Sequence, residues 1–263
     1  MNLDGTAMPF LSVVMPAYNE EATISTIVGQ VLDLPELLEL IIVDDCSTDG
    51  TSNIVKELAD ADSRIRYVRQ TKNAGKTAAL KTGFELTTGD VVIVQDADLE
   101  YDPSEIADVI GPIIENRADV VYGSRFMVKK AARVLYFSHY LANKALTFMS
   151  NMLTNLNMSD IETCYKAFRG DIIRNLVITS NGFGFEVEVT AKIAKLGCAV
   201  YEVPISYYGR TYDEGKKIGL KDGIAAVWYI IRFNLFMSLR RSFHEAPRLL
   251  AHAENKVMAD PDD

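Results

Sequence analysis

The sequence predicts an α/β fold, a Rossmann-like three-layer α/β/α arrangement with a central mainly parallel (mixed) sheet, plus C-terminal amphipathic helices. Three observations carry this. Strand-like and helix-like segments alternate through about the first 125 residues. The strands are continuous apolar runs rather than alternating ones, as in sheets buried on both faces. The loops after two of them are dense in acid, and in open α/β sheets ligands bind beyond the carboxyl ends of the strands.

The elements follow in order. Leu11–Met15 is a buried strand, broken by Pro16-Ala-Tyr-Asn19, and Glu20 and Glu21 place acids in the first turn of a helix. Leu40–Val43 is the second strand, followed by DDCSTDGT, whose Asp, Ser, Thr and Gly mark a turn and helix cap. A helix spans Ile54–Ala59, a short strand Ile65–Val68, a helix Lys76–Leu86 and a strand Val91–Val94. Pro103 fixes the first turn of the next helix, and Asp119–Tyr122 is a further strand. Residues 126–158 read as helical, with Lys129, Lys130, Arg133 and Lys144 among apolar neighbours. Phe185–Leu196 is a helix, AVYEVPISY a strand carrying Pro204, and the tail after Glu245 is loosely ordered.

Composition limits the function. With 263 residues, 48% of them apolar, the chain can bury a substantial core, and a net charge of -9 excludes a generic nucleic-acid binder. Cys46, Cys164 and Cys198 are odd in number and widely spaced, which predicts unpaired thiols and a cytoplasmic protein. The N-terminal residues lack a basic region followed by an apolar one, so no signal peptide is expected. The run Ile224–Leu239 is interrupted by Arg232 and Asn234, so no spanning helix is expected. His139, His244 and His252 have no zinc spacing. Asn73-Ala-Gly-Lys76-Thr77 is not a P-loop, because Gln70 stands where its first glycine belongs.

The acids of QDADLEYD pose the chemical question. Asp96, Asp98, Glu100 and Asp102 crowd a strand end, where like charges repel. They could cap the helix after Pro103. They could be a glycosidase pair, but Asp96 and Asp98 are too close in the chain to flank a sugar. Or Asp96, Asp98 and Glu100, alternating on an extended segment, could face one divalent cation that shares a substrate diphosphate.

The motifs around them decide. Strand–PAYNE, strand–VDDCSTDGT, NAGK, strand–QDADLE and YGSRF, in that order, resemble the family 2 inverting glycosyltransferases of the GT-A fold. SDIETCYKAFR (159–169), FGFEVEV (183–189) and EVPISYYGRTYDEGKK (202–217) are similar to the polyprenyl-phosphate (dolichyl-phosphate) mannose and glucose synthases. The resemblance implies a GT-A catalytic domain over 8–222 and an amphipathic helix with a tail over 223–263. It implies transfer of mannose or glucose from GDP-mannose or UDP-glucose to a polyprenyl phosphate, with Mg²⁺ or Mn²⁺ as cofactor. Pro16, Tyr18 and Glu20 match the loop that holds base and ribose, and Val43 and Asp45 the second strand end. Asp96, Ala97 and Asp98 match the metal- and diphosphate-binding D-x-D. Glu100 stands where the mannose synthases often carry Gln, and remains an oxygen ligand. Arg125 matches a residue near the diphosphate and acceptor phosphate. Arg210 and Lys216 match basic residues of a loop that grips phosphates, with Gly209, Gly215 and Gly219 around it.

A phosphate acceptor is already anionic and needs no strong base. For a hydroxyl acceptor the base candidates are Asp160, Glu186 and Glu188, with Asp160 favoured by its motif and capping as its structural alternative. Residues 218–241 predict an interfacial helix, with Trp228 and Tyr229 beside Arg232, Arg240 and Arg241, at the inner face of a membrane. Core or homodimer packing is the alternative for that segment. A soluble or polysaccharide acceptor, and a non-catalytic nucleotide-sugar-binding subunit, are the alternative functions.

Overall fold

The structure, a computed structural model, describes residues 10–127, 136–210 and 220–245 together with Pro247 and Leu249. Seven strands form one sheet: β1 (Leu11–Ala17), β2 (Leu37–Asp44), β3 (Ile65–Arg69), β4 (Val91–Val94), β5 (Val120–Ser124), β6 (Lys166–Arg169) and β7 (Val200–Pro204). Their order is β3-β2-β1-β4-β6-β5-β7. All neighbours are parallel except β6, which runs antiparallel to both β4 and β5. The helices are α1 (Ile24–Leu32), α2 (Thr51–Ala61), α3 (Lys76–Leu86), α4 (Ile106–Ile114), α5 (Phe137–Thr154), α6 (Gly170–Asn175), α7 (Phe185–Leu196) and α8 (Leu220–Leu235).

The apolar runs of β1, β2 and β4 are central because both their faces are covered: Leu11, Val13, Val14, Leu40, Ile42, Val92 and Ile93 have no exposure. Buried Glu39 of β2 is tolerated because its carboxylate accepts from Ser12 Oγ at 2.7 Å, Thr88 N at 2.6 Å and Arg66 Nη1 at 3.0 Å. Pro204 ends the edge strand β7, where a missing N–H is harmless. The predicted strands overlap β1–β5 and β7, with Asp119 falling just before β5 and β7 ending at Pro204, and α3 and α7 have the predicted bounds.

The structure differs in four places. Glu20 and Glu21 precede α1, since left-handed Asn19 (φ 54°) turns the chain before Ile24. Pro103 opens a 3-10 turn (Pro103–Glu105) that leads into α4. KAFR of the SDIETCYKAFR motif forms β6, a short strand whose residues are mostly buried. Within 126–158 the observed helix is α5; Lys129, Lys130 and Arg133 lie outside the described residues. Helix α8 packs on α5 and α7 and buries Ala226, Ile230 and Phe233.

Gly83 of α3 faces β1 and β2, where an added Cβ would overlap Val14 Cγ1 and lie 3.5 Å from Val43 Cγ2. Gly83→Ala should therefore destabilise the fold by about 1–3 kcal/mol despite better helix propensity. Gly29→Ala in α1, where nothing lies within 4 Å, should stabilise it by about 0.5–1 kcal/mol. Urea midpoints read the opposite signs; equal shifts would show that α3 does not sit this close to the sheet.

Candidate functional site

The carboxyl ends of β1, β2 and β4 meet at one rim. Their loops are joined by short polar side chains that hydrogen-bond backbone. Asn19 N donates to Ser47 Oγ at 3.0 Å, Thr48 N to Asn19 Oδ1 at 2.8 Å and Glu20 N to Thr51 Oγ1 at 2.8 Å. Pro16 and Tyr18 are partly buried on this rim, and Val43 lies fully beneath it. Asp45 is buried and turns inward: its oxygens accept from Ala74 N at 2.8 Å and Gly75 N at 2.7 Å. It therefore fixes the NAGK turn, in which Gly75 has φ 87° and lies against Gly182.

That turn delivers Lys76 to the D-x-D. Its Nζ lies 2.8 Å from Asp96 Oδ2 and 3.3 Å from Glu186 Oε1. Burial alone would lower this ammonium, but Asp96 and Glu186 outweigh it and hold the group well above its ordinary value. Arg210 comes from the opposite side. Its Nη2 lies 2.8 Å from Asp98 Oδ2, its Nε 3.4 Å from Glu100 Oε1 and its Nη1 3.4 Å from Glu20 Oε2. Tyr207 Oη donates to the other Glu100 oxygen at 2.7 Å. Ala97 is buried between the two aspartates. Lys216 lies outside the described residues.

Two cations thus face five carboxylates: Glu20, Asp96, Asp98, Glu100 and Glu186. The remaining repulsion is visible at Asp98. Burial, then the charges of Asp96 and Glu100, push it up to about 7 against the pull of Arg210. Among the described residues no three such donors converge as a cation site, because Asp96 turns to Lys76 while Asp98 and Glu100 turn to Arg210. Hard oxygen donors carrying unbalanced charge nevertheless fit Mg²⁺ or Mn²⁺. Asp96, Asp98 and Glu100 are the residues that would hold it.

Arg125 follows β5. Its Nε and Nη2 grip Asp160 in a fork, at 2.7 Å to Oδ2 and 2.8 Å to Oδ1. Burial alone would raise Asp160, but Arg125's charge and hydrogen bonds keep it below the usual carboxylate range. Arg125 also lies 5.1 Å from the Tyr207 ring centre, and it shares the Phe126 ring with Lys144 of α5, at 5.9 and 4.2 Å. Of the base candidates, Asp160 is thus clamped and unexposed. Glu188 accepts from Thr179 N at 2.9 Å and Ser180 N at 2.7 Å and pairs with Lys192, so it is a loop anchor. Glu186 keeps one oxygen without a hydrogen bond.

From the sequence Lys76 reads only as the start of a helix, and Glu162 and Tyr207 do not stand out. The period-two order Asp160, Glu162, Cys164, Lys166 on an extended segment is the signal that could have marked Glu162.

Residues 12–177 match the sequence family described as Glycosyl transferase family 2. Polyprenol monophosphomannose synthase of Mycolicibacterium smegmatis is 30% identical over 214 residues, covering 79% of this chain and 80% of that protein. Undecaprenyl-phosphate mannosyltransferase of Micrococcus luteus is 29% identical over 238 residues, covering 84% and 97%. The fold is similar to that of Mycobacterium tuberculosis glucosyl-3-phosphoglycerate synthase solved with UDP, a GT-A structure. The TM-score is 0.66 at 21% identity, covering 86% of this chain and 80% of that one. The same enzyme solved with Mn²⁺, UDP and phosphoglyceric acid superposes with a TM-score of 0.65 at 22% identity, covering 86% and 79%.

The raised Asp98 has a consequence for stability. A carboxyl held up in the folded state binds a proton there that the unfolded chain releases. Stability is therefore lost as pH rises from the ordinary value of 3.8 through about 7. Asp98→Asn removes that loss, so it should raise the melting temperature of the ligand-free protein near pH 8, by an amount that shrinks as pH falls toward about 4. A variant no more stable than wild type at the higher pH would show that Arg210 already balances the cluster.

Proposed function

The chain belongs to glycosyltransferase family 2, and on that premise we propose that it moves a hexose, mannose or glucose, from a GDP- or UDP-linked donor to a polyprenyl phosphate with inversion. The observation that carries this is a division of charge. The D-x-D side of the cleft has surplus carboxylate, which suits a cation under a diphosphate. The other side has Arg125 and Lys144 sharing the Phe126 ring, which suits a second phosphate. Bound there, Mg²⁺ or Mn²⁺ would neutralise charge on the leaving diphosphate.

The chain's own residues do the rest. Arg210 is released from Asp98 and Glu100 when those acids are neutralised, and its guanidinium can then grip phosphate. Asp160 orients Arg125 toward the acceptor rather than acting as base. The acceptor's anionic oxygen attacks in line, so that no side chain has to take a proton at that step.

The membrane side of the proposal rests on two packed helices. Helix α5 exposes Phe137, Leu141, Phe148 and Met152, and α8 exposes Ile224, Trp228 and Leu235, with Phe236 just beyond it. No helix of the described residues is long and apolar enough to cross a membrane. An exposed apolar face of this kind, with exposed Arg240 and Arg241 following α8 in the chain, suits a lipid surface. The curated relatives named for polyprenol and undecaprenyl phosphate support the same acceptor.

The decisive test is incubation with a panel of nucleotide sugars and a short polyprenyl phosphate, with the lipid analysed by mass. A glycosyl phosphopolyprenol should form with Mg²⁺ or Mn²⁺ and disappear in excess chelator. A protein that ignores the lipid and glycosylates a free hydroxyl would overturn the acceptor.

Trp228→Asp should weaken binding to anionic vesicles several-fold, and should slow transfer to long polyprenyl phosphates more than to short ones. Trp228 is 57% exposed, so the melting temperature should hold. Equal transfer to both chain lengths would assign this face to another surface.

A further inference from the structure

Tyr207 is used by none of the steps above, yet it touches both halves of the cleft. It follows β7, and the residues on either side of it are pinned. Ser206 N and Oγ donate to the two oxygens of Glu105 at 2.7 and 2.8 Å, and Tyr208 N donates to the backbone carbonyl of Glu100 at 2.9 Å. The Tyr207 ring centre lies 5.3 Å from that of Tyr101, which lies 4.9 Å from that of Tyr165. Those two rings are tied in turn: Tyr165 Oη donates to Gln95 Oε1 at 2.6 Å, and Tyr101 Oη accepts from Cys164 N at 3.1 Å. A row of fixed rings therefore backs Tyr207, and packing sets the direction of its side chain.

The tip of that side chain meets the acidic half of the cleft. Tyr207 Oη donates to Glu100 Oε2 at 2.7 Å, while Glu100 Oε1 accepts from Arg210 N at 2.9 Å and Nε at 3.4 Å. The two carboxylate oxygens are thus divided between a neutral donor and a cationic one. A metal ion arriving at the D-x-D competes with the guanidinium, because both are positive. It does not compete with the phenol, which is uncharged near neutral pH. The hydroxyl can hold the carboxylate in one orientation whichever cation stands beside it. Carboxylates that take a metal are commonly held by hydrogen bonds of this kind.

The face of the same ring meets the basic half. The Arg125 guanidinium lies over it, 5.1 Å from the ring centre. Asp160 grips the edge of that guanidinium, and the ring supports its face, so two different contacts fix its position. One rigid side chain therefore stands between an acid placed for the donor's cation and an arginine placed for the acceptor's phosphate. An in-line displacement needs its nucleophile and leaving group held at a set distance. Resting on the hexosyltransferase reading above, we propose that Tyr207 is a positioning residue that spaces the two halves of the reaction, its hydroxyl orienting Glu100 and its ring carrying Arg125. Phenylalanine would keep the second role and lose the first, so substitution separates them.

The test measures two quantities on wild type, Tyr207→Phe and Tyr207→Leu. One is Mn²⁺ affinity by calorimetric titration in saturating GDP or UDP; the other is the KM of a short polyprenyl phosphate with the matching nucleotide hexose. Tyr207→Phe should bind Mn²⁺ roughly tenfold more weakly, the loss expected when a metal ligand's supporting hydrogen bond is removed, and should keep the wild-type acceptor KM. Tyr207→Leu should show the same Mn²⁺ loss, which marks it as folded, and should also raise the acceptor KM about three- to tenfold. Wild-type Mn²⁺ affinity in Tyr207→Phe overturns the hydroxyl's role. An acceptor KM in Tyr207→Leu equal to that of Tyr207→Phe overturns the ring's role. A Tyr207→Phe variant that loses acceptor and Mn²⁺ affinity together overturns the division, because the residue then only supports the fold. The titration needs no sugar transfer. A wild type that binds Mn²⁺ and nucleotide but transfers nothing to the lipid therefore overturns the acceptor reading and the ring's role with it, and the titration alone decides the hydroxyl's role.

Discussion

Carboxylates gathered at the carboxyl end of a parallel sheet repel one another, and much of this molecule is arranged around that repulsion. Strand β4 must end at the rim for the D-x-D to meet a ligand, so Asp96 and Asp98 cannot retreat from each other. The chain answers with two long cationic side chains from distant segments, Lys76 after the NAGK turn and Arg210 after β7. Each is placed by a further acid: Asp45 holds the turn before Lys76, and Glu100 accepts from the backbone N–H of Arg210 at 2.9 Å. The compensation is incomplete, as Asp98 shows, and an incompletely balanced cluster is able to exchange its internal cations for a ligand's.

A second balance, complete this time, holds the other half of the cleft. Arg125 and Asp160 are both buried, and their fork geometry satisfies the carboxylate from two directions. Asp160 is in turn set by Glu202, which accepts from the N–H groups of Ser159 and Asp160 at 2.9 and 3.2 Å. Strand β7 thereby fixes Arg125, though the two are far apart in sequence. Removing either member of such a pair leaves an isolated buried charge, so this half of the cleft is rigid where the D-x-D half is adjustable.

Much of this was legible in the sequence, for physical reasons that also mark what was not. The strands β1, β2 and β4 announce themselves because a strand buried on both faces must be apolar throughout. Helices α3 and α7 do so through their turn residues, Gly75 and Gly197, which sit at their ends with positive φ. Strand β6 gave no such signal: it is four residues long, opens with Lys166, and is a strand only because β4 and β5 leave a gap that an antiparallel segment fills. At the site, Asp96, Asp98, Glu100 and Arg210 were legible from ordered motifs, and the structure brings all four together. The base candidates were not separable by sequence, because what distinguishes Asp160, Glu186 and Glu188 is who donates to each oxygen. Lys76 was hidden for the same reason, since its partner Asp96 comes from another strand 20 positions away, and Glu162 because Glu186 acts on it from a different helix.

Donor counting separates the structural acids from those available for function. Glu39 takes hydrogen bonds from Ser12, Thr88 and Arg66, which outweigh its burial and hold it below its ordinary range. Glu105 accepts from Ser206 N at 2.7 Å and Oγ at 2.8 Å, and Asp119 ties Ala199 N and Arg169 across β5, β6 and β7. Glu188 is as fully engaged by Thr179, Ser180 and Lys192. These acids hold loops to strands, and none has a reason to release its partners. Asp98, by contrast, lacks enough opposite charge, and Glu162 and Glu186 each have one buried oxygen without a donor. A fold that satisfies its buried carboxylates elsewhere and leaves these short has concentrated its electrostatic strain where a sugar nucleotide would relieve it. The same shortage that lowers stability at Asp98 would become affinity for a cation bound there.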